Sequence, residues 1–363
     1  MDLDHRVIIT TCGRELLRRY ASVHGGDQDW QEAHEPAGLV DACRTALMAE
    51  ADPWAVAAMA PELNALVRYY QGDMTGHVDR HVLLYSEAWP DARTAELMGE
   101  WLRQWGMQVE LRGLSGLREG VAETFRATMS RFTRWCGDVL STYRLYEFTI
   151  IFNPAGGSRI LVGFLQTLAP FYADESIHTL EPGHELVIMP MPKVQARGRS
   201  TLDKHLYCLR RLAAGLAVRP DKVAALPEAL VIHESQRPML SFFGELLWDN
   251  TRRDIYGERL LEGISERMIL SVAFHDDSAG LERDRLILLN ERVDQLARLL
   301  EQGETSDLAM LGFRPMNKAE QTKVDVPGAT HHCHAWADKE IWHMVGHFEG
   351  ERFVLDRLVS SRD

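Results

Sequence analysis

The sequence predicts an α/β amino-terminal half, a small helical middle segment and an α+β carboxyl-terminal end. Three observations lead there. Apolar β-branched runs alternate with helical periodicity over roughly the first 190 residues, as in an open, mostly parallel sheet. Short helical patterns with basic and polar gaps follow. From residue 267 the pattern changes to a strand, a long amphipathic helix and closely spaced strands.

The elements follow in order. HRVIITTCG (5–13) reads as a strand ending in a small polar loop, and RELLRRYASVH (14–24) as a helix. Residues 39–70 carry two helical patterns, the second opening near Pro61. HVLLYS (81–86) is a strand, AWPDARTAELMGEWLRQWG (88–106) a helix and MQVELRGL (107–114) a strand. Residues 121–143 are helical, and FTIIF (148–152) and ELVIMPMP (185–192) are further strands. Pro190 and Pro192 punctuate a boundary. Residues 202–214, 223–226 and 239–256 read as short helices, a module the size of a winged helix. RMILSVAF (267–274) reads as a strand and 281–300 as an amphipathic helix stopped at Gln302-Gly303. KVDV (323–326), ATHHCHAW (329–336), KEIWHMVGHF (339–348) and RFVLDRLV (352–359) complete an antiparallel meander. The expected domains are 1–195, 196–264 and 265–363.

Among 363 residues, the 45% hydrophobic and 26% charged fractions are those of an ordinary soluble protein. The formal net charge of -13 argues against sequence-blind binding to free nucleic acid, which needs a cationic surface. No apolar run is long enough to cross a bilayer, and the acidic start MDLDHRV does not read as a signal peptide. The five cysteines form no CxxC pair, so a cytoplasmic location is expected.

The strand at 148–152 breaks into Asn153-Pro154-Ala155-Gly156-Gly157-Ser158-Arg159, and an apolar helix follows. Strand, paired-glycine turn and helix make a phosphate cradle, because glycine lets the backbone approach an anion and the helix start offers unpaired N–H groups. The spacing is neither a P-loop nor the three-glycine dinucleotide fingerprint. Thr10-Thr11-Cys12-Gly13 forms the second loop at a strand end. Ligands of open α/β sheets sit beyond such ends. The bland alternative is that Gly156-Gly157 only makes a tight turn.

Residues 7–192 resemble a CARF domain, the Rossmann-like sensor of CRISPR systems. The resemblance rests on VIITTCGRELL (7–17), the Asn-x-x-Gly-Gly-x-Arg loop of 153–159 and HTLEPGHELVIMPMP (178–192). The family typically has Asn-x-Thr-Gly-Gly-x-Lys there; this chain has Ala155 for the threonine and Arg159 for the lysine. The resemblance implies a cyclic oligoadenylate activator, with cyclic tetra-adenylate the expected ring, bound across a twofold axis by a homodimer. Thr10, Thr11, Cys12, Gly13, Asn153, Gly156, Gly157, Ser158 and Arg159 are the expected ligand-binding residues. Slow cleavage of the ring by this domain is a further expectation, with Thr10, Thr11, Ser158 and Arg159 orienting the 2′-hydroxyl.

Five of the 15 histidines lie between His331 and His347. Strand alternation puts His332 and His334 on one face and His331 on the other, with His343 and His347 sharing a face. Imidazole suits proton transfer near neutrality. The order of elements from residue 267 onward resembles the RelE/ParE toxin superfamily of small ribonucleases. That resemblance implies mRNA cleavage on the ribosome by 2′-hydroxyl attack, without a metal cofactor. At matching positions Arg314 and Lys323 are expected to hold the phosphate. His331, His332 or His334 is expected as one acid–base partner and His347 as the other. The chain has histidines where many relatives have lysine and arginine. Acidic residues outnumber basic ones beyond residue 267, which fits an enzyme positioned on RNA by a larger body.

Competing expectations are a zinc cluster of His332, Cys333, His334 and His343, and a catalytically inert partner-binding module. Two others involve the middle segment. One is a HEPN ribonuclease using Arg199 and His205. The other is a ligand-responsive DNA-binding regulator using Lys204, Arg210, Arg211 and Arg219.

Overall fold

In the computed structural model, the apolar run after His5 forms β1 (Arg6–Thr11), buried at every position but the first. Residues 5–24, 38–75, 77–117, 122–180, 185–191, 199–303, 305–324, 326–337 and 341–361 are described. The expected boundary residue Pro192 and the 181–184 part of the CARF-like stretch lie outside them. The chain divides into two units, Met1–Gln195 and Ala196–Asp363.

The first unit is mixed α/β. After β1 come α1 (Glu15–Val23), α2 (Leu39–Ala49), α3 (Pro53–Ala57) and α4 (Pro61–Tyr69). Pro61 opens α4 at a position where its missing N–H costs nothing. Next are β2 (Arg80–Ser86), α5 (Trp89–Gln104), β3 (Gln108–Leu114), α6 (Ala122–Trp135) and α7 (Ser141–Leu145). A π-helical turn (Cys136–Leu140) joins the last two. β4 (Thr149–Asn153), α8 (Arg159–Tyr172), β5 (Glu175–Leu180) and β6 (Glu185–Pro190) close the unit.

The six strands are ordered β3-β2-β1-β4-β5-β6. All neighbours are parallel except the edge pair β5–β6. This parallel-rich sheet is compatible with the expected Rossmann-like class. Ile8, Leu83 and Ile151 pack with Leu16, Leu63, Leu66 and Trp101 in its core. The strand order reverses between β1 and β4, where Thr10 pairs with Asn153. β5 has no counterpart in the sequence reading: ESIHTL lies next to the sheet edge and is only partly buried, so it lacks an apolar run.

The second unit opens with α9 (Arg199–Ala213) and α10 (Pro220–Val223). β7 (Val231–Glu234) and β8 (Arg237–Leu240) form a hairpin turning at Ser235 and Gln236, both at positive φ. The helix expected over 239–256 therefore begins later, as α11 (Phe242–Tyr256), capped by Ser241. β9 is only Met268–Leu270. The strand expected over 267–274 stops because the Ser271 hydroxyl accepts the Phe274 N–H at 3.0 Å and starts α12 (Val272–Ser278). α13 (Arg283–Gln302) ends at Gly303 in the left-handed conformation, as expected.

α14 (Thr305–Met310), β10 (Arg314–Pro315) and α15 (Lys318–Val324) follow. The beginning of KVDV, read as a strand, belongs to α15. Asn317 and Glu320 explain this: each side chain accepts the other's backbone N–H, at 2.9 and 2.8 Å, a reciprocal helix cap. The expected meander is present as β11 (His331–Ala337), β12 (Ile341–Glu349) and β13 (Arg352–Ser361). The sheet order is β10-β11-β12-β13-β9, antiparallel except β13–β9. Leu289, Val293 and Leu296 of α13 pack against one sheet face through Cys333, Met344, Phe353 and Leu355.

Segments 196–264 and 265–363 share buried ion pairs. Arg210 on α9 donates to both carboxylate oxygens of Asp294 on α13, which also accepts the Tyr256 hydroxyl. Arg211 reaches Glu301 and the carbonyls of Ile264 and Ala217. All five cysteines are buried and free.

Candidate functional site

The first candidate site lies where the strand order reverses, beyond the carboxyl ends of β1 and β4. Gly13 and Gly157 touch there: a methyl on Gly13 would sit 2.6 Å from the Gly157 nitrogen. Gly157 has φ +87°, a conformation that favours glycine. A methyl on Gly156 would fall 1.8 Å from the Glu62 carboxylate. Both glycines are therefore required by close approach and backbone geometry. Ser158 caps α8, its hydroxyl accepting the Leu161 N–H at 3.3 Å. The N–H groups of Gly156, Gly157, Arg159 and Ile160 find no acceptor among the described residues. Arg159 and Ser158 are exposed. Gly156 is buried and Gly157 half-buried, so the open part of the turn offers an anion the Arg159 and Ile160 N–H groups and the Arg159 cation.

The other expected ligand residues form the floor of this site. Thr10, Thr11, Cys12 and Asn153 have no exposed surface. Asn153 donates to the Thr10 hydroxyl and to the Glu62 carbonyl, each at 3.4 Å. Asn153 Oδ1 and Thr11 Oγ1 are buried without a partner among the described residues. Of the expected ligand residues, Ser158 and Arg159 are exposed and Gly157 half-buried, while Gly156, Thr10 and Thr11 are buried.

Glu62 was not visible as a site residue. It is the second residue of α4 and wholly buried, and its Oε1 accepts the Gly13 N–H at 2.9 Å. Burial pushes its carboxyl up to about 7, against the lowering effect of that hydrogen bond. Burial, helped by Glu62, also pushes the Cys12 thiol up, so it is no nucleophile.

The second candidate site is the sheet face turned away from α13. His334 pairs with His343 across β11 and β12, and His332 pairs with Val345. The rings of His332, His334 and His343 cluster, with His343 4.9 Å from each of the other two. Arg314 pairs with His332 from β10, and its guanidinium binds Glu320 at 2.5 and 3.0 Å. His347 is two residues along β12 from Val345, hence on the same sheet face as His332 and diagonal to it.

The surroundings shift these imidazoles in opposite directions. Burial, then Arg314, lowers His332. Burial, then His332 and His334, lowers His343 to about 4. His332 Nε2 and His343 Nδ1 are buried without a partner among the described residues. His347 is raised, chiefly by its hydrogen bond to Asp356 and then by Glu349. The β13 bulge builds this bond: Val345 pairs with Arg357 and Gly346 with Leu355, so Asp356 is the extra residue. Gly346 is required there, since a methyl would sit 2.0 Å from the Val354 carbonyl oxygen.

His331 occupies the opposite, core-facing side. Its ring stacks on Phe313 at 5.3 Å and meets Phe348 edge-on at 5.1 Å, so it leaves the expected catalytic set. The Lys323 side chain lies outside the described residues. Cys333 is fully buried on the core side, away from His332 and His334, which breaks the expected zinc set. Among the described residues no group of three His, Cys, Asp or Glu is arranged to hold a metal ion.

Some residues of the two rival readings of the middle segment are engaged elsewhere. Arg210 and Arg211 are buried in the ion pairs above, and Arg219 binds Asp221 at 3.0 Å, so three of the four expected DNA cations are engaged. α9 kinks at His205 (φ −124°), which breaks the helical spacing that a HEPN motif needs. The Arg199 side chain lies outside the described residues.

No helix among the described residues is long and apolar enough to cross a membrane. No curated protein matches the chain. Residues 57–192 match the family model described as CRISPR-associated protein (Cas_APE2256), a span that holds Glu62 and the 153–159 turn. Over that span the chain is similar to this family, which supports a CRISPR-associated protein.

Proposed function

We propose that the chain is a cyclic-oligoadenylate-activated ribonuclease of CRISPR defence that cuts mRNA on the ribosome. The observation that carries the nuclease reading is two histidines on one sheet face whose proton affinities are shifted in opposite directions. Burial lowers His332, whose buried Nε2 has no partner among the described residues, and the hydrogen bond to Asp356 raises His347. That is the division a metal-independent phosphodiester cleavage needs.

His332 takes the proton of the ribose 2′-hydroxyl as its oxygen attacks the adjacent phosphorus. His347 gives its proton to the departing 5′-oxygen. The products are a 2′,3′-cyclic phosphate and a 5′-hydroxyl end. Arg314 exchanges Glu320 for the phosphate and offsets its charge. His343 stacks on the base, whose protonation is disfavoured by burial and then by Arg314. Lys323 is a second phosphate ligand in this scheme. The amino-terminal unit supplies the gate: the ring's phosphates meet Gly156, Gly157 and Arg159, and two chains share one ring.

The test is translation of a defined message in vitro with cyclic tri-, tetra- and hexa-adenylate added in turn. One ring should stop translation and yield discrete breaks. Unchanged protein synthesis with every ring would refute the reading.

A further inference from the structure

We propose that Glu62 is a positioning residue of the amino-terminal anion site, and that a phosphate seated on Gly156 and Gly157 binds with uptake of one proton by its carboxylate. This rests on the sensor reading above and adds to it a proton linkage and the residue responsible.

The geometry makes Glu62 common to both loops. Its Oε1 accepts the Gly13 N–H at 2.9 Å, its backbone carbonyl accepts from Asn153 at 3.4 Å, and Gly156 lies directly against its carboxylate. The side chain has no exposed surface, and Oε2 has no partner among the described residues. An ionised carboxylate there would put a negative charge one residue's thickness beneath the turn that must accept a phosphate. Because the carboxylate itself is wholly buried, solvent screens it little and the two charges repel. Protonation removes the repulsion and turns Oε2 into a donor. Two unpartnered buried acceptors, Asn153 Oδ1 and Thr11 Oγ1, belong to the same floor.

The surroundings leave the proton to Glu62. α1 presents Glu15, which raises the carboxyl, and Arg19, which lowers it. The Cys12 thiol at the end of β1 is neutral through burial. α3 carries no titratable residue, and β4 presents the neutral Asn153. Glu175 of β5 acts on Tyr69, at the other end of α4. β6 carries one titratable residue, the exposed Glu185.

The sign follows from the raised carboxyl, near 7 in the free protein. A bound anion raises it further. Between the two values the free protein is ionised and the bound protein protonated, so binding consumes a proton and weakens as pH rises.

The experiment is calorimetric titration of the full chain with cyclic tetra-adenylate at pH 7.5, in HEPES and in Tris, whose ionisation enthalpies differ. The expected result is a buffer-dependent heat equal to about 0.5–1 proton taken up per protomer, with affinity falling up to about tenfold per pH unit from pH 7 to 8. Glu62→Gln should bind the ring without the buffer dependence. Binding by the native chain with identical heats in both buffers would overturn the proposal, as would uptake persisting in Glu62→Gln. The native-chain comparison decides even if the variant does not fold. Failure of the native chain to bind any adenylate ring would instead overturn the sensor reading on which the proposal rests.

Discussion

His347 Nδ1 donates to Asp356 Oδ2 at 2.8 Å, and the carboxylate is within reach only because Asp356 is the extra residue of a β-bulge. One inserted position in β13 thus fixes the orientation of the imidazole assigned as the acid and raises its proton affinity. Asp356 also ties α12 to the sheet, its carbonyl accepting the Ser271 hydroxyl at 2.8 Å.

Replacing Asp356 with Asn should move the alkaline limb of the pH–rate profile to lower pH, because His347 loses the group that raises it. The sign is fixed: an acid must be protonated, so activity falls as pH rises through its pKa. The same bond's contribution to stability is fully present below the ordinary histidine value, about 6.5, and is lost as pH rises through the raised one. His347→Ala should slow cleavage by about 10²–10⁴-fold. Initial rates from pH 5.5 to 9 check both; an unmoved limb in Asp356→Asn would count against the assignment.

His331 and His332 are adjacent but should behave oppositely. His332→Ala should remove cleavage with little change in stability. His331→Ala should keep the chemistry and lose about 0.5–1.5 kcal/mol from its stacking on Phe313 and Phe348. Urea denaturation alongside single-turnover cleavage separates them. Equal activity loss in both would place the chemistry on the other face.

Gly156→Ala should abolish ring binding and destabilise the amino-terminal unit by about 1–3 kcal/mol, since the methyl overlaps Glu62. Arg159→Ala, at an exposed position, should weaken ring binding at least about tenfold by removing a charge-assisted contact, with thermal stability unchanged. Calorimetry and thermal melts read out the pair.

Arg210→Met should destabilise the second unit by about 3–5 kcal/mol, because Asp294 would remain buried without its cation. Chemical denaturation measures the loss. A DNA-binding role for this arginine would instead leave folding intact and change promoter binding in a gel shift.

Much of the frame was legible before any coordinates. IIF (150–152) and VIITT (7–11) are fully buried strand segments and so read as continuous runs, and the turn at 153–159 announces itself by Gly156-Gly157. ESIHTL was hidden because a half-exposed strand keeps polar residues, and β7–β8 because four-residue strands with Pro238 in one carry little pattern. The Asn317–Glu320 cap was present in the sequence, but the valines that follow carried the opposite signal. Alternation placed His332 and His334 together. It could not show that the face of His331 is the one α13 covers. Glu62 looked like any acidic residue in a helix's first turn; its role depends on Gly13 and Gly156, far away in sequence. The Asp356 bulge is likewise a property of strand pairing.

The most direct measurement is cleavage of a defined message on purified ribosomes, with and without saturating cyclic tetra-adenylate, followed by analysis of the new ends. The account gives breaks only when the ring is present, bearing 2′,3′-cyclic phosphate and 5′-hydroxyl ends, and formed about 10²–10⁴-fold more slowly with His347→Ala. An intact message in the presence of demonstrably bound ring would contradict it.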